Sequence, residues 1–169
     1  FKETPLGTIF NDDCSNRKVY LCTGGFDKNK GTLEIIQSFT EVVKDKEARL
    51  LVLGNKPKQR ATLYAQQIIT AIENDNRVKL LPSTYFLTHI YRQAYCVLSY
   101  FTIPHANLAL AESIILQTPV IAARNEESIE YSHNGELAIL FEANNIEAFK
   151  RELKEFDNNC ESIKSRLIE

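Results

Sequence analysis

The sequence predicts a doubly wound α/β domain: a parallel sheet of about six strands with helices on both of its faces. Short runs that are apolar throughout alternate with helical patterns along the chain, which is typical of a parallel sheet covered on both faces. Right-handed crossovers between such strands give a Rossmann-like order. A length of 169 residues with 44% hydrophobic and 25% charged residues is ordinary for one globular core.

Six short apolar runs are predicted as strands, at residues 19–22, 50–53, 78–81, 95–99, 120–123 and 137–141. The first helical segment follows the first strand, because Leu33, Ile36 and Phe39 recur on one helical face. Asn134 and Gly135 predict a turn before the last strand. Further helices are predicted over residues 59–72, 87–91 and 108–116, and over the chain after residue 141.

Charge and composition argue against several classes of protein. Twenty Lys and Arg against twenty-two Asp and Glu leave a formal charge of -2, which is no basic field for nucleic acid or an anionic membrane. No apolar run approaches the roughly 20 residues that span a bilayer. The four cysteines form no Cys-x-x-Cys pair, and two of them fall in apolar strands, which favours a reducing, cytoplasmic setting. Residues 1–16 are predicted as a polar lead-in and residues 17–169 as the domain.

Ligands of open α/β sheets bind at the carboxyl ends of the strands, where the strand order reverses. In the commonest order this point lies between the first and fourth strands, so two loops are expected to meet there. In the first loop, Gly24 and Gly25 allow close backbone approach, and Lys30 near the following helix start suits a phosphate. A plain turn with a solvated lysine is an equally acceptable interpretation of this pattern.

The second loop is followed by a helix whose first turns carry polar groups. Asn107 is a good N-cap, which leaves the amides of Leu108 and Ala109 pointing out of the helix end. Glu112 lies on the same helical face as Leu108 and can accept hydrogen bonds from sugar hydroxyls. Without further context, the pattern favours Glu112 as a first-turn carboxylate stabilised by the helix dipole over a sugar-binding one, and His105 as a surface loop residue over a catalyst.

With these residues, the chain resembles the C-terminal domain of the retaining GT-B glycosyltransferases of family 4, or glycosyl transferases group 1. Residues 24–31 (GGFDKNKG) resemble the Gly-Arg-x5-Lys-Gly loop of that family. Residues 76–81 (NRVKLL) and 95–100 (YCVLSY) are similar to its central strands, and Phe1-Lys2 to the run that often opens the domain. Residues 107–122 (NLALAESIILQTPVIA) resemble its last motif, with Glu112 as the second carboxylate of Glu-x7-Glu.

The resemblance implies one half of a GT-B fold and a nucleotide-sugar-binding domain whose N-terminal acceptor domain is absent from this chain. It implies transfer of a glycosyl group from a nucleotide diphosphate sugar, with retained configuration and with neither metal nor cofactor. Such a transferase serves polysaccharide or glycoconjugate biosynthesis, and only the missing domain would bring it to a membrane surface. The fragment is expected to be inactive by itself.

The resemblance also assigns roles to individual residues. Lys30 is expected to neutralise the donor diphosphate together with amides of the second helix, and Glu112 to hold the ribose; both are predicted as catalytic. The backbone around Leu81 and Pro82 is expected to line the base. The full predicted donor-binding set is Gly24, Gly25, Lys30, Leu81, Pro82, His105, Asn107, Leu108, Ala109 and Glu112.

Three positions depart from the family pattern. Pro104 stands where the first glutamate is expected, Gly25 where the loop arginine is expected, and Gln117 where a glycine is expected. The loss of a charge-assisted contact weakens transition-state stabilisation, and Lys28 or His105 are candidate substitutes.

These departures keep other hypotheses open. One is a degenerate GT-B domain that acts as a non-catalytic nucleotide-sugar-binding or scaffolding module. Another is a different doubly wound domain, such as an epimerase-like GT-B or a receiver; a receiver is disfavoured because no acidic pair follows the first strand. The residues do not identify the base, the sugar, the acceptor or the oligomeric state.

Overall fold

A computed structural model describes Phe10 and residues 17–57, 61–82, 87–103 and 106–168 of the chain. In this part, six parallel strands form one sheet in the order β3-β2-β1-β4-β5-β6. The predicted doubly wound sheet is therefore confirmed, and each strand boundary lies within two residues of its predicted place. The strands are β1 (Val19–Cys22), β2 (Arg49–Leu53), β3 (Val78–Leu81), β4 (Cys96–Ser99), β5 (Val120–Arg124) and β6 (Ile139–Glu142).

The helices follow the strands in the predicted alternation, with a short 3-10 turn (Lys28–Lys30) ahead of the first. The last helix is interrupted at Asn159, whose φ of -125° is not helical. Among the described residues, no helix has both the length and the apolar character that a membrane span needs. The helices are α1 (Thr32–Val42), α2 (Leu63–Asn74), α3 (Leu87–Gln93), α4 (Leu108–Ile115), α5 (Glu126–Tyr131) and α6 (Ile146–Ile168).

Helix α5 was missed by the sequence analysis, and helix α2 begins later than predicted. Six residues are too few to show an apolar repeat, but α5 has a capping box in which Asn125 Oδ1 accepts from the Ser128 amide at 2.7 Å. Helix α2 starts after Thr62, whose hydroxyl accepts from the Ala65 amide at 3.2 Å.

The central strands β1, β2, β4 and β5 bury nearly all of their residues, whereas the edge strands β3 and β6 are partly exposed. Tyr20 and Cys22 contribute to the core beneath α1, α2 and α6, while Val19 and Leu21 contribute to the core beneath α3 and α4. Side chains alternate between the two faces of a strand, so a strand covered on both faces needs apolar residues on both. Phe10, from the predicted lead-in, is also buried in the second core.

The two helices that follow the central strands leave on opposite faces of the sheet. β1 pairs with both β2 and β4; α1, after β1, covers the first core and α4, after β4, covers the second. Chains that leave adjacent strand ends in opposite directions open a crevice between them.

A polar cluster joins the end of α1 to the start of β3. The Arg77 guanidinium contacts the Asp75 carboxylate at 2.7 Å and donates to the Val43 carbonyl at 2.7 Å, while the Thr40 hydroxyl donates to Asp75 at 2.9 Å. Burial alone raises the pKa of the Asp75 carboxyl, but the hydrogen bonds from Arg77 and Thr40 and the Arg77 charge outweigh it and hold that pKa below its usual value.

We expect Asp75→Asn to lower the free energy of unfolding at neutral pH by about 1–3 kcal/mol, because Arg77 loses its charged partner. A carboxyl with a lowered folded-state pKa contributes stability above its unfolded pKa of about 4, and this contribution is lost as the pH falls through the folded pKa. The difference between wild type and variant should therefore shrink below about pH 4.

Urea unfolding followed by circular dichroism at several pH values measures this difference. Asp45→Asn is the control, because the Asp45 carboxylate lies at the surface and accepts from the Glu47 amide at 2.8 Å; it should change stability little at neutral pH. A constant difference for Asp75→Asn across the acid range would contradict the assignment.

Candidate functional site

A cleft of about 150 Å³ opens at the carboxyl ends of β1 and β4. It lies in the crevice between the loop that follows β1 and the first turns of α4. The described residues that line it are Thr23, Gly24, Lys30, Leu98, Ser99, Phe101, Ala106, Leu108, Ala109 and Glu112.

The first wall of the cleft is the loop after β1. A side chain on Gly24 would collide with the Thr32 hydroxyl and come within 3.1 Å of the Lys30 Cβ, so glycine permits the close approach of these segments. Lys30 ends the 3-10 turn, one residue before the Gly31 cap of α1. Its ammonium lies 5.8 Å from the centre of the Phe101 ring, within range of a cation–π interaction.

Two backbone contacts hold the loops after β1 and β4 together. Gly31 has a φ of 60°, and its α-carbon lies against the carbonyl and ring of Tyr100, with no room for a side chain. The Thr102 amide donates to the Asn29 carbonyl at 3.0 Å. The distance across the cleft is therefore set by direct contact between its walls.

The second wall is the start of α4, and its cap is buried. Asn107 is 1% exposed, its Oδ1 accepts from the Leu110 amide at 3.1 Å, and its side chain bonds the Ser99 hydroxyl. The Leu108 amide already donates to the Ala106 carbonyl at 3.1 Å. Hydrogen bonds to Asn107 and Ala106 thus occupy three of the first four amides of α4, and the Ala109 amide makes none of these bonds.

Glu112 lines the cleft and lies close to the side chain of Tyr91. The Tyr91 residue is completely buried, and its hydroxyl faces both Glu112 and Thr23. Burial, and after it the negative charge of Glu112, raises the pKa of the Tyr91 phenol, so this group stays protonated at any ordinary pH.

The predicted residues fall into four groups in the structure. Gly24, Lys30, Leu108, Ala109 and Glu112 line the cleft together. Asn107 lies beneath it as a structural cap. Gly25, Leu81 and Pro82 do not line it: Gly25 packs beside Gly54, and Leu81 ends β3, two strands away from β1. His105 and Pro104 lie outside the described residues, as do Phe1 and Lys2.

The sequence analysis missed Thr23, Ser99, Phe101 and Tyr91 as residues at or under the cleft. The first three follow directly from strand position, because they stand at or just after the ends of β1 and β4. Tyr91 had no such signal; its spacing on α3 indicates only an apolar helix face.

The lining residues carry one cation, one carboxylate, hydroxyls and a helix start. Neither Lys30 nor Glu112 forms an ion pair with another described residue, and the described residues contain no group of three potential metal ligands. Cys22 lies below the cleft, and burial raises the pKa of its thiol, so it stays neutral and packs as an apolar group. The site suits a ligand with an anionic part beside a hydroxyl-bearing part.

Most of the chain matches a known protein family. The profile described as glycosyl transferases group 1 matches residues 17–159 of the chain. A comparison with curated protein sequences finds no match.

Solved structures share the fold. A glycosyltransferase from Rickettsia africae superimposes with a TM-score of 0.78 at 16% identity, over 98% of this chain and 45% of that chain. The C-terminal domain of LpcC, a group 1 family glycosyl transferase of Francisella tularensis, gives 0.77 at 16% identity, over 90% of this chain and 80% of that chain. HepE of Anabaena, in complex with UDP and glucose, gives 0.76 at 16% identity, over 91% and 43%.

The chain spans less than half the length of the Rickettsia and Anabaena proteins and most of the isolated LpcC domain. At such low identity these superpositions show the fold alone, and they confirm the expected half of a GT-B architecture.

We expect Gly31→Ala to destabilise the protein more than Gly25→Ala, although both glycines have nearly the same positive φ, 60° and 61°. A side chain at either position carries a left-handed strain of about 1–2 kcal/mol. At Gly31 it also overlaps Tyr100, which adds about 1–3 kcal/mol, whereas at Gly25 the nearest atom is 3.8 Å away.

Urea unfolding of the two variants separates the overlap from the strain, and Gly25→Ala is the matched control. Equal destabilisation would show that the contact of Gly31 with Tyr100 does not hold the cleft walls together.

Proposed function

Because the chain belongs to the glycosyl transferases of group 1, we propose that the cleft between β1 and α4 binds the nucleotide diphosphate of a sugar donor. One observation carries this proposal: Lys30 and Glu112 reach the same cleft at the switch point of the sheet, and neither is neutralised by another described residue. The similarity to the fold of HepE, which was solved with UDP and glucose, supports the same class of ligand.

In this proposal the two charged residues bind different parts of the donor. The Lys30 ammonium neutralises the diphosphate, and the Ala109 amide at the start of α4 donates to a phosphate oxygen. Glu112 accepts hydrogen bonds from the ribose hydroxyls. Thr23 and Ser99 also line the cleft, and the Ser99 hydroxyl bonds the Asn107 side chain.

The proposed reaction transfers the glycosyl group with retention and without a metal ion. The bond between the anomeric carbon and the outer phosphate oxygen breaks and its electron pair stays on the nucleoside diphosphate. The acceptor oxygen bonds the anomeric carbon on the same face, and its proton passes to the leaving phosphate oxygen. The charge that develops on the leaving phosphate is stabilised by Lys30 and the α4 amide, which act in a fixed geometry. In this proposal, the acceptor site belongs to an N-terminal domain of the parent protein. The parent protein is proposed to be cytoplasmic.

A second candidate function is a non-catalytic nucleotide-sugar-binding module. Gly25 favours the non-catalytic module, because the family pattern has an arginine at this position and glycine offers no charged side chain to a diphosphate. Transfer or hydrolysis of a sugar nucleotide by the complete natural protein would support the transferase. Donor binding with neither reaction would support the module.

We expect Lys30→Ala and Glu112→Gln to weaken UDP binding by about tenfold or more each, since each removes a charge-assisted contact. Inorganic pyrophosphate lacks the ribose, so only Lys30→Ala should weaken its binding. Isothermal titration calorimetry with both ligands on the 169-residue chain measures these effects.

Exposed residues outside the cleft provide matched controls. Lys154→Ala on α6 and Glu130→Gln on α5 make the same chemical changes and should bind both ligands as the wild type does. An absence of heat with UDP at millimolar concentration, or equal losses in the control variants, would argue against the donor site.

A further inference from the structure

The Tyr91 hydroxyl is an unusual group in this protein. In the described part of the chain, it and the Ser38 hydroxyl are the buried side-chain oxygens without a hydrogen-bond partner. Buried polar groups almost always have partners, so each exception needs a physical reason. Ser38 lies in α1, away from the cleft, whereas Tyr91 lies directly under it.

The surrounding fold fixes the position of Tyr91. Its backbone carbonyl accepts hydrogen bonds from the Thr118 hydroxyl at 3.0 Å and from the Ala94 amide at 2.9 Å. Its side chain belongs to the core beneath α3 and α4, which also contains Ala109 and Leu110 of α4. The hydroxyl therefore reaches the cleft floor from a rigid base and cannot turn away to solvent.

Two lining residues face this hydroxyl, and they differ chemically. Glu112 brings a full negative charge and only acceptor oxygens, while the Thr23 hydroxyl can donate to the phenol oxygen. A protonated phenol between them can accept from Thr23 and donate to Glu112. The Glu112 carboxylate has no competing ion pair among the described residues.

We propose that Tyr91 is a positioning residue for Glu112: its hydroxyl donates to one carboxylate oxygen and so aims the other oxygen at the ribose. This inference rests on the proposed donor site. It gives an acceptor to a buried phenol that has no hydrogen-bond partner elsewhere among the described residues. A carboxylate held at one oxygen loses less rotational freedom on binding than a free one.

Tyr91→Phe tests the role, because it removes only the hydroxyl. On the 169-residue chain, titration calorimetry should show UDP binding weakened about three- to tenfold, the effect of one lost hydrogen bond. Inorganic pyrophosphate should bind as to wild type, since it has no ribose for Glu112 to contact. In a Glu112→Ala background, Tyr91→Phe should cause no further loss of UDP affinity.

Tyr20→Phe is the matched control for loss of a buried tyrosine hydroxyl. Tyr20 is also fully buried, but its hydroxyl bonds Asp157 at 2.8 Å, outside the cleft; the variant should melt at a lower temperature and bind UDP normally. Unchanged UDP affinity in Tyr91→Phe, a parallel loss of pyrophosphate affinity, or the same loss without Glu112 would overturn the positioning role. A wild-type chain that does not bind UDP would overturn the donor site itself, and the inference with it.

Discussion

Gly31 lies directly against the carbonyl and the ring of Tyr100, and the cleft depends on this contact. It fixes how closely the loop after β1 approaches the loop after β4. Tyr100 is supported in turn by the core, because its ring stacks on Phe141 of β6 at 5.2 Å. Lys30 immediately precedes Gly31, and Glu112 lies on the helix that follows the Tyr100 loop. The separation of the two charges is therefore set by packing of the sheet and its helices, which loop motion alone cannot change.

In the proposed donor complex the two charges act on different parts of the ligand, because neither forms an ion pair with another described residue. Lys30 is held over an aromatic ring at 5.8 Å, which leaves its positive charge available while it limits the side chain to one side of the cleft. Glu112 lies on α4, one turn after the helix start, and Ala109 in the first turn lines the same cleft. The Ala109 amide adds the positive end of the helix dipole to this wall. A cation, a helix start and a carboxylate therefore line one cleft, and these are groups that can bind the phosphate and the ribose of a nucleotide.

The sheet was predictable because burial of both strand faces leaves an uninterrupted apolar run in the sequence, and strand order then follows from crossover rules. The short helix α5 was not predictable from the sequence pattern, since its start depends on a local side-chain cap. For the site, strand ends indicated where Lys30 and Glu112 would meet, but hydrogen bonds inside the loops are not encoded by spacing. The Leu108 amide was expected to face the ligand, but it donates to the neighbouring Ala106 carbonyl. Tyr91 falls in a predicted helix, and the direction of its hydroxyl required coordinates. Leu81 ends β3, two strands from β1, and is not among the residues that line this cleft.

The position of Gly25 bears on how the diphosphate would be held. A β-carbon placed there would lie 3.8 Å from its nearest neighbours, so crowding does not demand glycine at this point. The positive φ of 61° does favour glycine, and it turns the loop toward the backbone of Gly54. An arginine with this backbone would carry a left-handed strain of about 1–2 kcal/mol. In the proposed donor complex, neutralisation of the diphosphate would then fall on Lys30 and the helix amide. With fewer cations at the phosphate, the carboxylate proposed to hold the ribose would take a larger share of donor recognition, and its orientation would matter correspondingly more.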